Sequence, residues 1–65
     1  MKMSYFEDTD TLYIEFKSTG VVESKDLDEN TILDVDENDD IVAITVEHAS
    51  ARTDIQHLTL SGIAA

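Results

Sequence analysis

The segment Asp34-Val35-Asp36-Glu37-Asn38-Asp39-Asp40 sets Asp, Asp and Asn at the first, third and fifth positions of a calcium loop. Such a loop also needs Gly at its sixth position and a bidentate Glu at its twelfth, where this chain has Asp39 and Thr45. Apolar residues on both sides alternate with period two, so the segment reads as a strand end and a solvated hairpin turn. His48 and His57 stand near Glu47 and Asp54, an inventory suited to a metal or to acid/base work. Nothing in their spacing fixes a geometry, and no phosphate loop or nucleophile elbow accompanies them, so they read as surface or capping histidines.

Ser4, Ser18, Ser24, Ser50 and Ser61 have no histidine within the same element, and a sheet of this size has little concave volume for a triad assembled from distant residues. Tyr5, Phe6, Tyr13 and Phe16 have the makeup of a base-stacking platform. Such platforms need a positive groove, whereas Glu7, Asp8, Asp10 and Glu15 surround these rings, so cross-strand packing is the better reading. No catalysis, cofactor or metal is expected.

Charge narrows the partners. Fifteen acidic residues against four basic ones give a formal charge of −11 on 65 residues. That surface repels nucleic-acid phosphates and anionic lipid, and it either attracts a basic protein partner or serves solubility alone. The start, Met1-Lys2-Met3-Ser4-Tyr5, lacks the apolar core of a signal peptide, and no apolar run approaches the roughly 18 residues that span a bilayer. A cytoplasmic protein is expected.

The chain must then position its acids with very little core. A domain this short buries only about 60% of its unfolded surface. Without cysteine it has neither a disulfide nor a thiolate metal site, which leaves homodimerisation as the expected reinforcement. Apolar residues nevertheless make up 42% of the chain and recur with period two.

Met3–Phe6 reads as a first strand, Glu7–Asp10 as a turn and Thr11–Phe16 as a second strand, with Leu12, Ile14 and Phe16 on the covered face. Ser18-Thr19-Gly20 is the next turn. Val21–Lys25 is a weaker third strand, expected at an edge, followed by an acidic connection from Asp26 to Asn30. Ile32–Asp36 and Ile41–Val46 flank the polar turn Glu37–Asp40 as a hairpin. Leu33, Val35, Val42, Ile44 and Val46 then join Leu12 and Ile14 on the core side. Asp34, Asp36 and Thr45 face solvent, and Ile32, Ile41 and Ala43 leave a small apolar patch on the wet face. Thr53-Asp54-Ile55-Gln56 matches a capping box, so a helical turn is expected to start at Thr53. Beyond it, both a two-turn helix and a turn followed by an extended tail satisfy the pattern.

Three stretches carry a resemblance: Met1–Tyr5 with Asp10-Thr11-Leu12-Tyr13-Ile14, then Thr31–Asp36, then Ile41–Ser50. In order and spacing they resemble a small bacterial family catalogued as domain of unknown function 2283. The chain departs from that pattern at Phe6-Glu7, at Asp39 and at Glu47-His48. The resemblance implies a small antiparallel sheet and carries no catalytic residues. Members look like companions of small toxin-like proteins in some gene neighbourhoods, which implies an antitoxin-like role.

The expectation is therefore one mainly β domain (α+β at most), a small antiparallel β-meander of about five strands with a short C-terminal helical turn. Its core motif spans about residues 1–50 and a capping segment spans 51–65. It is read as a noncatalytic acidic binding module that neutralises a basic partner through Glu15, Asp34, Asp36, Asp39 and Asp40. The alternative is a structural or self-associating domain with no dedicated partner.

Overall fold

A computed structural model describes residues 1–55 of the chain. Five strands form one antiparallel sheet: β1 (Lys2–Phe6), β2 (Thr11–Glu15), β3 (Glu23–Asp28), β4 (Thr31–Val35) and β5 (Ile41–Val46), followed by a short helix, α1 (Ala49–Arg52). Every neighbouring pair is antiparallel, and the order across the sheet is β1-β2-β5-β4-β3. The meander is thus in two parts, a β1–β2 hairpin and a β3–β4–β5 meander, joined where β2 pairs with β5.

Turn chemistry explains the hairpins. Asp10 closes the β1–β2 turn at φ 53, and Asp39 sits at φ 65 between β4 and β5. The short polar side chain of Asp tolerates this left-handed region better than most L-residues do. The Asp36 carboxylate accepts the amides of Asn38 (2.9 Å) and Asp40 (3.0 Å), so a side chain replaces the ladder bonds that the turn gives up. Between β3 and β4 only Glu29 and Asn30 intervene, with the Asn30 amide donating to Asp28 at 2.9 Å.

Register sorts the side chains. Met3, Ile14, Ile44, Leu33 and Lys25 form one cross-strand row and Tyr5, Leu12, Val46 and Thr31 the next, all on one face. On the opposite face, Lys2, Glu15, Ala43, Asp34 and Ser24 form a row, and Ser4, Tyr13, Thr45, Ile32 and Asp26 another. The apolar alternation of β2, β4 and β5 therefore gives the expected face. Leu12, Val35 and Val42 are its most buried side chains, at 5%, 3% and 2% exposure.

Three expectations need correction. The third strand runs from Glu23 to Asp28 rather than Val21 to Lys25, with a register shift between Asp26 and Asp28. Val21 and Val22 precede it, and the supposed acidic connection is mostly strand. An edge strand with every residue exposed needs no apolar side, so hydrophobicity does not mark its ends. On the wet face Ala43 is fully buried rather than part of an open patch, because its methyl lies between the longer Glu15 and Asp34 across the strands. Asp36 is buried rather than solvent-facing. The segment crossing from β2 to β3 passes over it: Lys17 binds its carboxylate, Gly20 at φ 101 brings its backbone close to the Asp36 Cβ, and the Val22 amide donates to Val35 at 2.9 Å.

No expectation covers the short helix at Ala49–Arg52, which precedes Thr53. Thr53 is its C-cap, donating both its amide (2.8 Å) and its hydroxyl (2.7 Å) to the carbonyl of Ala49. Gln56, the rest of the turn expected from Thr53 and the tail after it lie outside the described residues.

Replacing Leu12 with Ala should cost about 2–3 kcal/mol. That is a large part of the margin of a small domain, roughly 0.1 kcal/mol per residue. Leu27→Ala, at a site 67% exposed, should change the urea midpoint little.

Candidate functional site

The carboxylates fall into two classes by what they touch. The first class fastens one chain segment to another. Asp10 holds α1 from 40 residues away: its backbone carbonyl accepts the Ala49 amide at 2.9 Å, and its carboxylate accepts the Ser50 amide (3.1 Å) and the Ser50 hydroxyl (2.8 Å). Tyr5 donates its hydroxyl to the same carboxylate. His48, the helix N-cap residue, lies at φ 54 and makes no side-chain cap, so Asp10 supplies the capping that a local residue normally provides. The Tyr5 hydroxyl, then Ser50, hold the Asp10 carboxyl below the usual carboxylate range, and the same bond pushes the Tyr5 phenol up.

Asp28 is fastened to the far end of the same helix. Arg52 grips it with both terminal guanidinium nitrogens, Nη1 and Nη2, at 3.1 and 3.0 Å, and donates from Nη1 to the Thr31 hydroxyl at 2.8 Å. Two parallel charge-assisted bonds fix orientation as well as charge. With the Asn30 amide added, the Asp28 carboxyl is lowered to about 2. Asp36 takes the Lys17 ammonium and two turn amides, and Lys17 before the Asp40 amide holds its carboxyl below the usual range. Lys25 reaches Asp39 at 2.8 Å, both side chains being well exposed.

The second class points outward. Of the expected contact residues, Glu15 and Asp34 share the wet face, flanking Ala43 from neighbouring strands, and both are half-buried. Asp34 accepts the Ser24 hydroxyl at 2.6 Å. Asp26, placed by sequence in a connection, stands on this face in the adjoining row. Asp36 and Asp39 do not join them, because each is held by a lysine. Asp40 is exposed in the turn, where its amide serves Asp36.

No local pattern marks the Asp10–Ser50 or Asp28–Arg52 contacts, since each partner lies on a different element. The place of Asp26 on this face follows only from the true limits of β3. His48 neighbours the Asp10 cap, while His57 lies outside the described residues.

The family model described as a protein of unknown function (DUF2283) matches residues 2–50. The chain belongs to this family. No curated protein and no solved structure matches it. In this DUF2283 member the matched stretch ends at Ser50, the residue that completes the Asp10 cap, so both halves of that contact lie within it.

Asp10→Ala should speed hydrogen exchange at the amides of Ala49 and Ser50. Asp10→Asn, which tolerates the left-handed backbone but loses the charge, should speed it less. For Asp28, a folded pKa of about 2 against an ordinary 3.8 means that its contribution to stability is present above 3.8 and is lost as pH falls toward 2. Asp10 and Asp36, also lowered, act in the same direction. Melting temperature followed against pH should fall across that window, and the fall should be shallower in Asp28→Asn.

Proposed function

We propose that this chain is a noncatalytic binding module of the cytoplasm whose outward acids engage a basic protein in the manner of an antitoxin. One observation supports the reading most: three of the four cations are already used within the fold. Lys17, Lys25 and Arg52 each pair with an aspartate, and Lys2 stands across the strands from Glu15. Among the described residues the carboxylates of Glu15, Asp26 and Asp40 have no cation within ion-pair distance.

A shallow sheet face is suited to recognition by charge and shape, and the described residues enclose no cavity in which a small substrate would be surrounded. No helix among them is long and apolar enough to cross a membrane. The anionic field acts chiefly on encounter: a positive patch on the partner is steered toward Glu15, Asp26 and Asp34, and like-charged surfaces are turned away. A ribonuclease-like toxin binds phosphates with a basic surface, and such an acidic face would occupy that surface in their place. Family membership, with its implied toxin-like neighbours, is consistent with this.

Immobilised protein incubated with lysate should retain a basic protein at low salt and less of it at physiological salt, where the Debye length is about 8 Å. The triple variant Glu15→Gln, Asp26→Asn, Asp34→Asn should retain less than the parent. Retention of no basic protein at either salt, or equal retention by the variant, contradicts the proposal.

A further inference from the structure

On the apolar face Leu12, Val35 and Val42 are buried, but the row Met3–Ile14–Ile44–Leu33 is only partly closed. Ile14, Leu33 and Ile44 are half-buried and Met3 is 37% exposed. Among the described residues the strands pack chiefly with one another. At one end of this face sits α1, held by Asp10 beside Tyr5 and by Arg52 on Thr31. The described chain stops close by: Thr53 caps α1, and Ile55 is half-buried. A sheet with one apolar side buries that side against another layer.

We infer that the stretch 56–65 of this same chain covers the row, with Leu58 and Leu60 against Ile14 and Ile44. Composition names this occupant. Residues 55–65 hold no Asp, Glu, Lys or Arg, in a chain that is 29% charged. The longest such run elsewhere is the six residues Ile41–Val46, which form the central strand β5, so charge is missing where the chain packs. The covered row is uncharged too: on this face the strands place charge only along the β3 rim, at Glu23, Lys25 and Asp28. Alternation agrees, since Leu58 and Leu60 share one side of an extended segment and Thr59 and Ser61 the other. The starting point and the length also agree. The Met3–Ile14–Ile44–Leu33 row lies two residues along each strand from the Tyr5–Leu12–Val46–Thr31 row where α1 is held, about 7 Å away. Ten extended residues reach about 33 Å. Five strands at about 4.8 Å spacing are only about 19 Å across, so the stretch crosses the sheet with residues to spare. Cover from within the chain also meets none of the repulsion that a second copy carrying −11 brings with it. The family match ends at residue 50, so this cover is the chain's own addition to the matched pattern. Glu15, Asp26 and Asp34 stay open on the other face, which makes the inference independent of the proposed binding role.

The test uses the full chain with labelled methyl groups. Nuclear Overhauser contacts should join the methyls of Leu58 and Leu60 to those of Ile14 and Ile44 and persist unchanged on dilution. A mixture of labelled and unlabelled chains should show no such contact between molecules. In the double variant Leu58→Ser, Leu60→Ser, the methyls of Ile14, Leu33 and Ile44 should lose their shielding from a soluble paramagnetic probe. Ile32, on the other face, should stay as accessible as in the parent, and Thr59→Ala, of opposite parity, should change neither. Contacts between labelled and unlabelled chains along this row would make a second copy the cover, and would overturn the inference. So would methyls as open to the probe in the parent as in the double variant, which would leave the face uncovered. The contacts are read on the unsubstituted chain, so the inference remains testable if the double variant fails to fold.

Discussion

Scarcity of positive charge is the constraint on which the rest of this structure depends. Four cations face fifteen carboxylates, and in the fold three of the four are placed where separate parts of the chain meet. Lys17 ties the β2–β3 crossover to the β4–β5 turn, Lys25 ties the edge strand to that turn, and Arg52 ties α1 to the β3–β4 turn. Where no cation is available, at the start of α1, Asp10 is satisfied by hydroxyl and amide donors instead. Exposed ion pairs contribute little individually, typically about 0–1 kcal/mol. Their importance here is positional, because each joins segments that share little apolar surface.

The same allocation shapes the exterior. Aspartates held by cations become part of the framework, while Glu15, Asp26 and Asp34 stand on a face that strand alternation has already made polar. Two surfaces of opposite character result. One is apolar and charged only at its rim, while the other is anionic and shallow. The family relationship to DUF2283 covers the segments that build both, since it spans all five strands.

How much of this was legible in the sequence differs by element. The period-two runs of β2, β4 and β5 identified the strands, their shared apolar face and the hairpin between β4 and β5, because half-burial leaves an alternating trace. The edge strand β3 left none, so its limits were misplaced and Asp26 and Asp28 were read as connection. Strand order was also hidden: pairing β2 with β5 depends on which apolar stripes meet in space, and several orders match the same stripes. Parity alone placed Glu15 and Asp34 together. The burial of Asp36 depends on a crossover passing over it, and the position of α1 on a cap supplied from residue 10, so no local pattern marks either.

The division of carboxylates into fastening and outward classes is tested most directly by following each side-chain carboxyl carbon by NMR as pH is lowered. The account predicts that Asp10, Asp28 and Asp36 titrate below the ordinary 3.8, with Asp28 the lowest at about 2. Titration of all three at the ordinary value would show that these contacts do not hold the fold in solution, and would contradict it.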